Sequence, residues 1–327
     1  MPLIDYIPAQ TKIGFMRLRR VTFPLSAALT LIAVILFGTV GFNLGIDFRG
    51  GTLIEAQSAQ QAADLSVLRE QLTDGDLGDV QIQEFGSARD VLIRVGRAGT
   101  DDAAQQAIVD KVRSALGQDF TIRRVETVGP SVSSELVRQS ILALVLGAVV
   151  VLIYLWFRFE WQFAVGALVT TAHDIFVTLM IYSVLGLDFD LTSIAAILTI
   201  MGYSLNDTVV VYDRIREMLR RYKKIPLPEL LDIAVNATFS RTIIVSTTTF
   251  LATLALYFFG GEVLRGFSLA MSVGVIIGTY STIFVAAPIL IHLGLRSSTV
   301  VAQDEADAAD EKPAAKGGKG GSRPAKA

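Results

Sequence analysis

Residues 197–217 read ILTIMGYSLNDTVVVYDRIRE. The apolar run that contains them begins near residue 190 and predicts a membrane-spanning helix over 190–212, since roughly 20 helical residues cross a hydrocarbon core. Asn206 and Asp207 interrupt that run with only apolar or small polar neighbours. A carboxylate near the centre of a lipid-embedded helix costs from about 2.5 kcal/mol upward. Asp207 must therefore be neutral, paired, or turned toward water inside a bundle. Asp213 follows six residues later, roughly 9 Å along a helix, so Asp207 sits toward the end of the span that leads into Arg214, Arg216, Arg220, Arg221, Lys223 and Lys224.

Outward from that stretch the same apolar character recurs. Of 327 residues, 52% are hydrophobic and 18% charged, and mean hydropathy is +0.51, too apolar for an ordinary soluble domain. Runs long enough to span lie at 22–42, 138–157, 162–186, 190–212, 241–259 and 266–293, which makes six. The first exceeds a signal-peptide core and has no A-x-A site after it, so it is read as an uncleaved anchor. Lys12, Arg17, Arg19 and Arg20 precede it. With the basic cluster after span four, they place segment 1–21, the loop 213–240 and both termini in the cytoplasm by the positive-inside rule. The short turn after span three carries Asp188 and Asp190 without a basic residue and falls on the other side.

That topology puts residues 43–137 outside the membrane, where long apolar runs give way to soluble-domain patterning. Strands are predicted at 52–57, 79–85, 90–96 and 119–128, and amphipathic helices at 64–74 and 101–117. The order β-α-β-β-α-β is the ferredoxin-like signature. Residues 297–327, rich in Ala, Asp, Glu, Lys, Gly and Pro, have little to bury and are expected to be disordered.

Several function classes lack their residues. Net charge is −2, so no basic nucleic-acid surface is indicated. With no cysteine and two histidines, both in apolar runs, there is no donor set for zinc and no thiol chemistry. GGKGGS at 317–322 lacks the strand and helix of a phosphate loop. No nucleophile or cofactor loop stands out, and an enzyme is not expected.

What remains is polar chemistry inside the spans. Span five begins SRTIIVSTTTF, which sets Arg241 at a depth comparable with Asp207, so the two could pair; snorkelling of Arg241 to headgroups is the alternative. His173 and Asp174 form a second polar pair in span three, either a proton relay, since histidine titrates near neutrality, or a static contact. Ala270, Gly274, Gly278, Thr282 and Ala286 recur every four residues in span six and read as a packing stripe. Pro24 and Pro288 are expected to bend or end their helices.

GIDFRGGT at 45–52, VGPSVSSEL at 128–136, His173–Asp174, GYSLNDTVVVYDRIRE at 202–217 and SRTIIVSTTT at 240–249 together resemble the SecF branch of the SecD/SecF protein-export family. The resemblance covers nearly the whole chain apart from its ends. It implies half of an RND-type bundle in a bacterial inner membrane, completed by six spans of SecD. It further implies use of the proton-motive force to draw polypeptide outward after SecA and the SecYEG channel have begun its passage. The coupling residues it implies are Asp207 and Arg241, with Asn206, His173 and Asp174 as supporting candidates. The coupling ion is the proton, sodium remaining open, and no bound cofactor is implied. A subunit of an RND-type exporter of small molecules or lipids is the competing reading, and a passive scaffold a third.

Overall fold

The computed structural model describes residues 11–59, 62–73, 77, 80–96 and 102–295. The expected disordered tail, 297–327, lies outside the described residues. Among the described residues six helices are long and apolar enough to cross a membrane. They are α1 (Phe15–Thr39), α5 (Pro130–Arg158), α6 (Trp161–Leu185), α7 (Leu191–Arg221), α8 (Leu227–Phe259) and a composite sixth span. The last runs as α9 (Glu262–Ser281), a π turn (Thr282–Ala286) and α10 (Ala287–His292). Pro288 sits in the first turn of α10; it has no N–H to donate into the preceding turn, and a π turn there absorbs the missing bond. The protein is a six-span membrane protein with a small α+β domain.

Between α1 and α5 lie β1 (Asn43–Leu44), α2 (Ile46–Arg49), β2 (Gly51–Ser58), α3 (Leu65–Thr73), β3 (Val80–Phe85), β4 (Ser87–Val95), α4 (Asp102–Leu116) and β5 (Phe120–Val128). From β2 onward this is the β-α-β-β-α-β order expected. The sheet order β3-β4-β2-β5, antiparallel throughout, is that of a ferredoxin-like fold. Ile54, Val91, Ile93 and Val95 meet Leu68, Leu72, Ile108 and Val112 in a core of their own.

The helices are longer than the apolar runs that announced them. Residues 213–240, expected as a cytoplasmic loop, are mostly helix: α7 continues to Arg221, and α8 begins at Leu227 after a five-residue link. The extensions survive outside the apolar run because Ile215, Met218 and Leu219 bury against Leu230, Leu231, Ala234 and Val235. Likewise α5 starts at Pro130, within the stretch 43–137 assigned to the domain. At the opposite end of the molecule from the domain, Asp232 Oδ1 accepts from Met16 N (2.9 Å) and Asn236 Oδ1 from Ile13 N (2.9 Å), so α8 satisfies one amide in the first turn of α1 and one just before it.

Segment 45–52, GIDFRGGT, forms the joint between domain and bundle. β1 pairs in parallel with β6 (Asp188–Phe189), in the turn between α6 and α7. Gly45 lies so close that a Cβ would stand 3.2 Å from Asp190 Cβ. Gly51, with φ +121°, would place a Cβ 2.5 Å from Val95 O, and only glycine fits. Asp190 caps α7 through Ser193 N (2.9 Å), and Asp47 Oδ2 accepts from Leu191 N (3.0 Å). Across the joint, Arg94 of the domain sheet pairs with Asp188 (2.7 Å), whose other oxygen accepts from Asn43 Nδ2 (2.6 Å).

Burial raises the Asp47 carboxyl above the ordinary carboxylate value; the Leu191 amide opposes this, and Asp190 and Glu126 reinforce it. The neutral form is thus favoured in the fold. Its contribution to stability is largest at low pH and falls as pH climbs from the ordinary carboxylate value through the raised one. Asp47→Ala, which deletes the cap, is expected to cost about 1 kcal/mol. Asp47→Asn, which keeps the acceptor, is expected to be neutral or stabilising at pH 7. Thermal unfolding of the purified chain in detergent checks both, and an Asn variant as damaged as the Ala variant contradicts the assignment.

Candidate functional site

The bundle interior is organised by α7, which meets α6, α8 and α9. The sixth span lays its stripe of small residues on it: a Cβ on Gly274 would collide with Ile200 at 2.6 Å, and one on Gly278 would touch Ser204. Close approach of the two backbones lets short hydroxyl side chains bridge them.

Two carboxylates lie at this level in contrasting surroundings. Asp174 on α6 is fully buried. Its Oδ2 accepts from Ser204 Oγ of α7 and from Ser281 Oγ of α9, the latter at 2.7 Å. Its Oδ1 lies 2.9 Å from His173 Nδ1. One carboxylate thus ties three spans together and uses both oxygens. His173 is itself 3% exposed, and its Nε2 is buried without a hydrogen-bond partner.

Asp207 is 8% exposed on α7. Its Oδ1 accepts from Thr242 Oγ1 of α8 (2.9 Å), whereas Oδ2 is buried and bonded to nothing. Nearby, Ser246 Oγ accepts from Tyr203 OH (3.1 Å) and Thr279 Oγ1 (2.6 Å), and Thr208 meets Thr282 at 3.2 Å. Hydroxyls therefore run from α8 through α7 to the sixth span.

The expected depth match between Asp207 and Arg241 holds, because Arg241 neighbours the threonine that bonds Asp207. The direct pair is not formed: no ion pair within 4.0 Å joins them among the described residues, although Arg241 remains within electrostatic range of the carboxylate. Arg241 faces outward on α8 while Thr242 turns in. Consecutive helical residues point about 100° apart, and the small hydroxyl takes the inward place. Asn206 is also on the outer face, in a stripe with Ala195, Thr199 and Gly202 that this chain leaves uncovered. His173 and Asp174 are brought together, in a cluster separate from the Asp207–Thr242 contact.

Thr242, Ser204 and Ser281 are absent from the residues singled out in the sequence. The signal that could have found them is a hydroxyl residue inside an apolar span at the depth of a buried carboxylate, three or four residues from another polar group. Ser204 precedes Asp207 by three, and Ser246 follows Thr242 by four.

The profile described as "Protein export membrane protein SecD/SecF, C-terminal" matches residues 108–296, and the "SecD/SecF GG Motif" matches residues 35–62. The chain is 45% identical over 305 residues to the protein translocase subunit SecDF of Brucella abortus, covering 93% of this chain but 40% of that protein. It is 42% identical over 297 residues to the protein translocase subunit SecF of Cereibacter sphaeroides, covering 88% of this chain and 91% of that one. Among solved structures, SecDF from Thermus thermophilus superposes with a TM-score of 0.81 at 34% identity, over 89% of this chain and 40% of that one. The chain thus spans 40% of the SecDF relatives it matches.

Ser204→Ala and Ser281→Ala each remove a hydrogen bond to a buried carboxylate and are expected to lower stability by about 1–2 kcal/mol. The double variant should lose more than the sum, because each single variant leaves Oδ2 one donor and only the double leaves it none. Asn206→Ala, on the outer face, should leave the isolated chain unchanged. Thermal unfolding reads all four variants, and equal losses at Asn206 and Ser204 would contradict the burial assignment.

Proposed function

The chain belongs to the SecD/SecF family of protein-export membrane proteins, and on that premise we propose that it is the SecF-type half of a proton-driven accessory to the Sec translocon. In this reading it works with a SecD counterpart in the bacterial inner membrane. Its termini are cytoplasmic and its ferredoxin-like domain faces outward. It promotes the late stage of polypeptide export through SecYEG, after SecA has acted. It is a coupling subunit without enzymatic activity of its own.

The observation that carries the reading is Asp207, buried within a membrane span with one oxygen bonded to Thr242 and the other to nothing. A group so placed changes its best surroundings when it gains or loses a proton. Neutral, it is content with a hydroxyl in an apolar bundle; charged, it favours the guanidinium of Arg241, one residue from Thr242. Protonation from one side of the membrane and release to the other would then alternate α8 between a contact through Thr242 and a closed pair with Arg241. A proton can shift these populations only by the difference in its affinity for them. Because α7 also carries the joint at its domain end, repacking of α7 against α8 has a route to the external domain through Asp188 and Asp190.

Partnership with SecD is supported by the fused relatives and by the uncovered stripe Ala195, Thr199, Gly202 and Asn206, whose small residues suit close contact with another helix.

Inverted vesicles with an imposed proton gradient test the proposal. Asp207→Asn is expected to abolish gradient-stimulated export while leaving ATP-driven export intact. Thr242→Val should shift the pH at which stimulation is half-maximal, and a sodium gradient should not substitute for protons. Retained stimulation in Asp207→Asn would overturn the proposal.

A further inference from the structure

A different face of α7 from the uncovered stripe lines a groove. It opens laterally between the end of α1 and α5, with α6 and α7 as its walls and floor, and encloses about 450 Å³. It exists because α5 is loosely held: of its 29 residues only Ser133, Ser140 and Leu155 are buried. Its lining is apolar apart from Ser140. Ile194 and Ile197 of α7 form the floor, 8% and 3% exposed, while Phe37 and Ile141 at the lips are 47% and 57% exposed. Stacked Phe42 and Phe189, 4.5 Å apart, close the end nearest the domain.

Three features identify an occupant. The first is depth. Leu179 and Ile175 lie six and ten residues from the domain end of α6, and Met201 ten from that of α7. At 1.5 Å per residue the groove reaches about 15 Å inward, half of a hydrocarbon core of about 30 Å. It is therefore one leaflet deep. The second is a positive charge next to the lining residues at the mouth, of the sign that suits a phosphate. Arg138 is the last charged residue of α5 before its apolar run and is exposed, beside the groove residues Val137 and Ile141. The third is position: on α7 the groove residues Ile194, Ile197 and Met201 sit roughly a third of a turn from the stripe through Asn206. A second subunit docked on that stripe would leave the groove open to lipid.

We propose that this groove binds one acyl chain of a phospholipid from the leaflet on the domain side, with the headgroup phosphate held by Arg138. The lipid would fill the space that α5 leaves and brace α7 one turn from Ser204, making it a structural component of the bundle. The inference concerns lipid retention and stands independently of proton coupling.

The test uses the full chain, alone and co-purified with its partner half, in nanodiscs of phosphatidylethanolamine and phosphatidylglycerol. A trace of phosphatidylcholine carries a photoreactive diazirine in one acyl chain. After illumination, cross-links are expected on the floor residues Ile194 and Ile197, in both preparations. Leu144→Trp, which fills the groove, should abolish floor labelling while leaving labelling of lipid-facing Leu31 and Ile35 on α1 unchanged. Should that variant fold poorly, Arg138→Gln serves: lipid retained through detergent purification should fall about fivefold, as expected for one basic residue at a headgroup. Labelling confined to Phe37 and Ile141 at the lips would overturn the proposal. So would floor labelling that vanishes in the co-purified complex, which would assign the groove to a protein segment.

Discussion

Thr242 Oγ1 donating to Asp207 Oδ1 at 2.9 Å is the contact on which the proposed coupling depends. In hydrocarbon a carboxylate must find donors, a counter-charge, or a proton, and α7 presents two solutions within one turn. Through Ser204 it supplies Asp174 with a donor, and Asp174 uses both oxygens and fastens α6, α7 and the sixth span together. Through Asp207 it carries a carboxylate that is only half satisfied. The first arrangement has little to gain from moving. The second has an unmet bond on one side and an arginine within electrostatic range, and in the proposed function a change in its charge alters which α8 residue it prefers.

The domain is tied to this helix at its other end. Asp190 and Asp47 cap the first amides of α7, and Arg94 of the sheet grips Asp188 immediately before it. The acidic turn that the charge rule set outside the cytoplasm is thus also a receptor for the domain. GIDFRGGT serves the joint in detail: Gly45 permits the close pairing of β1 with β6, Asp47 caps α7, and Gly51 takes a backbone conformation that a side chain would block. In the proposed function this joint is the route by which a repacking of α7 would reach the domain.

The six spans were legible in the sequence as apolar runs long enough to cross a hydrocarbon core, and the β-α-β-β-α-β domain as alternating strand and helix periodicity. The ends of the helices were not. Hydropathy marks where a helix meets lipid, whereas α7 and α8 continue past it by burying Ile215 and Met218 against Leu230 and Ala234. The depth of Arg241 could be read from its distance to the span end, but not its direction, since Arg241 and Thr242 are interchangeable until α8 is rotated against α7. Ser204 and Ser281 were invisible for a related reason. Hydroxyls in apolar spans commonly bond their own helix, as Thr178 and Thr170 do here, and only packing shows which reach across.

In the proposed function Asp207 titrates while Asp174 stays a fixed tie. Infrared difference spectra of the reconstituted complex across a pH step measure this directly, through the carbonyl band of a protonated carboxyl. A band is expected that disappears in Asp207→Asn and persists in Ser204→Ala, which perturbs only the Asp174 cluster. A band that survives Asp207→Asn and shifts with Ser204→Ala would place the titrating group at Asp174 and contradict the proposal.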